Sequence, residues 1–259
     1  MTVSYRFEDG IAVLALDDVP RHNALSRAMI AELNRLHARS LQDGARAIVL
    51  GANGPSFCAG ANIDDLRSGW MEGGDPETDP LHFFRRLATD RRVTIAAVQG
   101  IAAGGGLELT LACDLVVAGE RASFLAPELG HGVIPPLGIA LLPHIVGRHR
   151  AMDMVLTRRK VGAEEAVRIG LATHRTDADD VTSAAVALAR SIVDKIPPGA
   201  LGVAKQQLGH HQPLDWQSIL TCSGKVPAAE WHEGLDAFMQ KRRPDYDRFW
   251  GESDEVDRP

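Results

Sequence analysis

Aromatic residues are scarce in this chain, 5% of its 259 positions, and cysteine is scarcer still, with three. Cys58, Cys113 and Cys222 are odd in number and form no C-x-x-C pair. A disulfide framework is therefore not expected, and a reducing compartment suits them. No uncharged apolar run approaches the roughly 18 residues of a membrane span. The opening residues, Met1-Thr2-Val3-Ser4-Tyr5-Arg6 and then Glu8-Asp9, lack the basic-then-apolar pattern of a secretory leader. The expectation is a cytoplasmic protein without a membrane partner. Positive charge is also in deficit. With 28 Lys and Arg against 34 Asp and Glu, the net charge is −6, which argues against nucleic acid as the main partner. The chain has no G-x-x-x-x-G-K-S/T loop, no G-x-G-x-x-G after a strand, no G-x-S-x-G elbow and no H-E-x-x-H. Its ten histidines are scattered, with His210-His211 the only adjacent pair, so no metal site is expected.

What is present is an ordinary globular balance, 45% hydrophobic and 24% charged, with length for one large domain or a domain plus an appendage. Ile11–Leu16 is a continuous apolar run between Asp9-Gly10 and Asp17-Asp18, and Val3–Phe7 can pair with it across the first turn. Ser26 is a candidate N-cap for a helix burying Met29, Ile30, Leu33 and Leu36. Strands are expected at Ala45–Leu50, Val93–Gln99 and Leu115–Ala118, with a helix from Gly105 to Ala112. This order suggests sheets covered by helices, an α/β fold. The Gly- and acid-rich stretch Gly69–Pro80 reads as a solvated surface insertion or a ligand-gated loop. From Pro136 onward the pattern turns helical, with helices expected at Ala163–Ile169, Val181–Ile196, Ala200–Leu208, Leu214–Ser223 and Ala228–Lys241. A soft boundary falls near Pro197, giving a core domain 1–196 and a helical region 197–259 too short for a core of its own.

Two segments carry chemical interest. In Ser56-Phe57-Cys58-Ala59-Gly60-Ala61-Asn62-Ile63, small residues follow a strand and its turn. They either let a ligand approach the backbone or simply make a tight connection. In Gly100–Leu109, Gly104-Gly105-Gly106 opens a helix whose first turn holds Glu108 among leucines. That carboxylate is either solvent-facing or a placed acid or base. Glu128 follows 20 residues later, after a strand and Pro127. Two neighbouring carboxyls divide into acid and base because proximity splits their titrations. The sequence does not itself bring Glu108 and Glu128 together.

Taken in order, these segments resemble the crotonase superfamily, the enoyl-CoA hydratase/isomerase family. The resemblance runs from Pro20-Arg-His-Asn23-Ala24-Leu25-Ser26 through Phe57–Ile63, Val98–Asp114, Phe124–Pro135, Leu142–Gly147 and Gly162–Leu171 to Gly234–Pro244. It implies a crotonase-like spiral of ββα repeats with a C-terminal helical oligomerisation region that builds homotrimers or hexamers. It further implies an acyl-CoA thioester substrate and no separate cofactor. By motif position, the main-chain amides of Ala61 and Gly105 form an oxyanion hole, and Glu108 and Glu128 are the two catalytic glutamates. Having both favours reversible addition of water to a 2-enoyl-CoA. Isomerisation, hydration of a cyclic dienoyl-CoA and a catalytically weak binding scaffold are the alternatives. Substrate-binding positions carried over are Arg21, Ala24, Ala59, Asn62, Ile63, Gly104, Pro135 and Pro136. Two departures stand out. Asn62 replaces the usual Asp, which alters a local hydrogen bond or an adenine-pocket contact. Pro135-Pro136-Leu137-Gly138-Ile139 replaces the usual glycine-rich stretch, which suggests a reshaped acyl pocket for a branched, cyclic or aromatic group. Arg21 leads the candidates for the CoA phosphates, followed by Arg85, Arg86, Arg91, Arg92 and Arg158-Arg159-Lys160. Cys58 and Cys113 are expected to be small core residues, and Trp216 and Trp231 to pack C-terminal helices.

Overall fold

The computed structural model describes residues 2–70, 75–177, 180–210, 214–221 and 223–249. The chain opens with a hairpin. Strand β1 (Val3–Glu8) pairs antiparallel with β2 (Ile11–Leu16), Glu8 opposite Ile11, across the Asp9-Gly10 turn. Both turn residues have positive φ, 51° and 79°, which matches the twist of a two-residue hairpin. Ser26 caps α1 (Arg27–Gln42), its Oγ accepting from the Met29 amide at 3.2 Å, and Met29, Ile30, Leu33 and Leu36 are buried. Strand β3 spans Ala47–Ala52, two residues later than the periodicity suggests. The cause is local: Ala45 and Arg46 still close the turn after α1, donating to the carbonyls of Ser40 and Gly10.

The next elements are α2 (Ile63–Arg67), α3 (Pro80–Thr89), β4 (Val93–Val98), β5 (Ile101–Ala103), α4 (Gly105–Leu111), β6 (Leu115–Gly119) and β7 (Ser123–Leu125). After them come α5 (Pro136–Val146), α6 (Arg148–Thr157), β8 (Val161–Gly162), α7 (Ala163–Arg168), β9 (His174–Thr176), α8 (Val181–Val193), α9 (Pro198–His210), α10 (Trp216–Thr221) and α11 (Ala228–Met239). Helix α8 stops three residues short of the expected Ile196, where the Asp194 amide closes on Arg190. Helix α10 is shorter than the expected Leu214–Ser223, because Ser223 begins a separate 3-10 turn. The Gly69–Pro80 stretch is tied down at both described ends. Trp70 is fully buried and donates Nε1 to the Thr78 carbonyl at 2.8 Å, while Asp79 caps α3. Residues 71–74 of that stretch, together with His211 and Cys222, lie outside the described residues.

The strands form two sheets. The larger runs β1-β2-β3-β4-β6-β9, parallel from β2 onward, and the smaller runs β5-β7-β8. Each turn of chain contributes one strand to the large sheet, one extended step to the small one, and then a helix. The successive second steps are Leu25, Cys58–Ala61, β5 and β7. They stack through bridges Leu25–Ala61 and Cys58–Ala102 and the β5–β7 register Ala102–Phe124. This is the ββα spiral. Alternation along the strands splits the core. Ala96 and Val98 face the main cluster, whereas Val93, Ile95 and Ala97 face Val181, Ala185 and Ala189 of α8.

Stacked turns meet closely at Gly106. A β-carbon there would lie 2.5 Å from the Cys58 carbonyl oxygen of the preceding turn. Alanine's better helix propensity is worth up to about 1 kcal/mol, while overpacking against backbone costs about 1–3 kcal/mol. Gly106→Ala is therefore expected to lower stability by about 1–2 kcal/mol in urea unfolding; a raised midpoint would contradict the close-stacking account.

Candidate active site

The spiral places the starts of α2 and α4 side by side. In the parallel bridge between Leu25 and Ala61, the Leu25 amide donates to Gly60 O at 2.7 Å and the Asn62 amide to Leu25 O at 2.6 Å. That alternation turns the Ala61 N–H the other way. Gly105 is the first residue of α4, so its N–H has no partner within the helix. Neither amide donates to another described residue. A β-carbon on Gly105 would lie 3.7 Å from Ala61 N, so the two donors are neighbours. Gly104 makes this possible with φ 54° and ψ −125°, a conformation open only to glycine. The pair forms a main-chain anion cradle.

Two carboxyls adjoin it. Glu108 sits in the first turn of α4, 5% exposed. Its Oε1 accepts from the Leu137 amide at 2.7 Å and the Gly138 amide at 3.0 Å. These are the second and third residues of α5, so a carboxylate rests on a helix N-terminus. Pro135 and Pro136 take the positions before them, where no N–H is needed. Glu128 begins a 3-10 turn, Glu128–His131, directly after β7. Its Oε1 would stand 3.0 Å from a β-carbon on Gly104, so it borders the cradle. Both of its oxygens are buried and neither accepts a hydrogen bond from another residue.

Electrostatics divides the pair. Burial pushes Glu108 up to about 7, with the Gly138 and Leu137 amides pulling the other way. Burial, and then the charge of Glu108, push Glu128 up to about 8. The two titrate together, but the amide donors favour charge on Glu108, and the undonated Glu128 favours its proton.

A cleft of about 490 Å³ joins cradle and carboxyls. The expected site residues Arg21, Ala24, Ala59, Ala61, Asn62, Ile63, Gly104, Gly105, Glu108, Glu128 and Pro136 all line it. Pro135 does not; it is buried behind the start of α5, against Gly138. Asn62 caps α2, its Oδ1 accepting from the Asp64 and Asp65 amides at 3.0 and 3.2 Å, a task that Asp and Asn perform alike. Sequence reasoning missed the opposite wall: Leu81 and Phe84 of α3, His131, Val133 and Ile134, and Leu235 and Phe238 of α11. The Leu81–Phe84 spacing was the available signal, but a two-residue match is too short to mark a helix. A second cavity of about 620 Å³ shares Leu66, Val133, Ile134 and Leu235 with the cleft and includes Trp231, which thus faces a cavity as well as its helix. Of the suggested cations, only Arg21 reaches the cleft, its guanidinium 3.3 Å from Asp18. Arg86 pairs with Glu77, Arg92 with Asp90 and Arg159 with Asp153 and Glu165. Cys58 is a buried thiol pushed up to about 12 by desolvation. Among the described residues no three His, Cys, Asp or Glu side chains gather to hold a metal, and no helix is long and apolar enough to cross a membrane.

The sequence pattern of the enoyl-CoA hydratase/isomerase family matches residues 6–248. The chain belongs to that family. It is 36% identical over 256 residues to a probable enoyl-CoA hydratase of Rhodobacter capsulatus, spanning 95% of this chain and 97% of the relative. It is 33% identical over 243 residues to the 2,3-dehydroadipyl-CoA hydratase of Escherichia coli, spanning 91% and 94%. The crystal structure of an enoyl-CoA hydratase/isomerase from Pseudoalteromonas atlantica superposes with a TM-score of 0.84 at 29% identity, covering 95% of this chain and 99% of that one. This member of the enoyl-CoA hydratase/isomerase family is thus an enoyl-CoA hydratase-like enzyme with the crotonase fold.

The raised carboxyls of this hydratase-like enzyme have a consequence for stability. A carboxyl whose folded value lies above its unfolded one holds its proton more tightly in the native state. Its contribution is therefore greatest below about pH 4 and is lost as pH rises toward 8. Glu108→Gln keeps an oxygen for the two amides but carries no charge. It is expected to be more stable than the parent at pH 9 by about 1–3 kcal/mol and indistinguishable at pH 4. Paired denaturant titrations at the two pH values check this, and equal stability at pH 9 would remove the buried-charge argument.

Proposed function

We propose that this cleft adds water reversibly to the double bond of a 2-enoyl-CoA thioester, with Ala61 and Gly105 as the oxyanion hole and Glu108 and Glu128 as base and acid. The observation that carries the reading is the asymmetric pair of carboxyls beside two unpartnered main-chain amides. The thioester oxygen accepts from the Ala61 and Gly105 N–H groups. A water oxygen adds to the β-carbon while its proton passes to ionised Glu108. The electron pair of the alkene moves toward the carbonyl, giving an enolate held by the two amides. Protonated Glu128 then delivers its proton to the α-carbon, and the product is a 3-hydroxyacyl thioester. One proton has passed to Glu108 and one has left Glu128, so exchange between the carboxyls resets the site. The carboxyls act by general acid–base chemistry and the amides by stabilising developing charge. No separate cofactor enters, since coenzyme A arrives as part of the substrate.

Arg21, at the rim, is proposed to meet the CoA phosphates. The reading also includes a homotrimer or hexamer, supported by Ile139, Met152 and Leu156 exposed on α5 and α6. Region 197–259 is proposed to serve assembly and to wall the cleft through α11.

Glu108→Gln and Glu128→Gln are each expected to lower kcat for hydration of a trans-2-enoyl-CoA by about 10²–10⁴. Full turnover in either variant would sink the two-carboxylate mechanism. Because only the singly protonated pair is productive, kcat/KM in the parent should describe a narrow bell centred between about pH 7 and about pH 8. A flat profile from pH 5 to 9 would count against it.

A further inference from the structure

The hydration reading fixes one end of the substrate. The thioester oxygen belongs at Ala61 and Gly105, and the reacting carbons belong beside Glu108 and Glu128. The rest of the acyl group must then fill the other end of the cleft, lined by Leu81, Phe84, Val133, Ile134, Leu235 and Phe238. Beside Phe238, the cleft lining also carries His131.

His131 closes the 3-10 turn that Glu128 opens. With three residues per turn, positions i and i+3 eclipse, so both side chains leave the same face, about 6 Å apart along the axis. Both line the cleft. The imidazole is held edge-on to Phe238, ring centroids 5.0 Å apart and planes at 78°. Its residue is clamped from behind by α11. Gly234 lies so near the His131 carbonyl that a β-carbon would clash, and Tyr246 donates its hydroxyl to Gly130 O at 3.2 Å. The ring is therefore positioned, yet its nitrogens make no hydrogen bond to a described residue and are not fully buried. Burial, followed by the nearby Arg158, lowers the proton affinity of His131, so the neutral ring offers one donor and one acceptor.

We infer that His131 is a specificity-determining residue that hydrogen-bonds a neutral oxygen substituent, a hydroxyl or carbonyl, on the acyl group beyond the reacting double bond. A plain alkyl or aryl thioester would leave a ring nitrogen desolvated without a partner, and that penalty separates the two substrate classes. This inference rests on the hydration reading and extends it to the far end of the substrate.

The test compares trans-2-enoyl-CoA thioesters of equal chain length, one series unsubstituted and the other carrying a hydroxyl at successive positions past the alkene. The parent is expected to favour one hydroxylated isomer by about tenfold in kcat/KM. His131→Phe keeps the aromatic contact with Phe238 and should erase that preference, and His131→Gln should restore part of it. A parent that treats both series alike overturns the inference while leaving hydration intact. So does a His131→Phe variant in which both series fall together, since packing alone would then explain the residue. No turnover with any thioester in either series would end the hydration reading, and this inference with it.

Discussion

The distance between stacked strands, close to 4.8 Å, is the constraint on which the site depends. In a spiral, each turn repeats the same strand, extended step and helix one strand-width further on. The residue that starts one helix therefore lies beside the residue that starts the next. Ala61 precedes α2 and Gly105 begins α4, and their amides become neighbours because Cys58 bridges Ala102 between them. Neither donor needs a particular side chain. Each needs a backbone placed by hydrogen bonds from neighbouring amides: Leu25 to Gly60, Asn62 to Leu25, Gly104 to Leu125. Donors held in this way need no reorganisation when charge develops.

The same repeat supplies the carboxyls, but from different parts of the turn. Glu108 stands one helical turn inside α4, and Glu128 stands just past the second strand of the following repeat. Burying two acids in one apolar cleft is unfavourable unless one stays neutral. Helix α5 decides which one ionises, because its free N-terminal amides at Leu137 and Gly138 point at Glu108. The Pro135-Pro136 pair thus has a physical reading that its oddity in sequence did not suggest. Pro135 at the N-cap and Pro136 at the first helical position have no N–H to leave unsatisfied, and the first two amides available go to Glu108. Only Pro136 also touches the cleft.

Legibility from sequence followed the range of the interactions involved. The β1–β2 hairpin and the Ser26-capped helix are set by neighbours within a few residues, and β4 is a largely apolar run, so their residues were readable. The polar end of the site was readable only through the family resemblance that Ala59-Gly60-Ala61, Gly104-Gly105-Gly106-Leu-Glu108 and Pro127-Glu128 carry; taken alone, those residues left the ligand-site and bland readings open. What eluded reading was what distant segments bring. Helix α3 was hidden because its acid- and glycine-rich approach looks solvated, although Trp70 and Phe84 are almost wholly buried. Strands β8 and β9, two and three residues long, carry no period at all. The role of Asn62 could be judged only once its oxygen was seen to cap α2.

This division says where chemistry and selectivity reside. The polar end is built from main-chain amides and two acids tied into the spiral, so it tolerates little change: a β-carbon at Gly104 would press on Glu128, and one at Gly105 on Leu25. The far end is built from side chains of α3, the turn after Glu128 and α11, three pieces remote in sequence that meet at the cleft. Exchanging side chains there moves no main-chain amide and neither buried acid, at a packing cost that is largest at the buried Leu81, Phe84 and Leu235. Because the turn bearing Glu128 is gripped by α11, the wall at the far end of the cleft also bears on that buried acid. The far wall and the buried carboxyl are thus mechanically joined through four residues, Glu128 to His131.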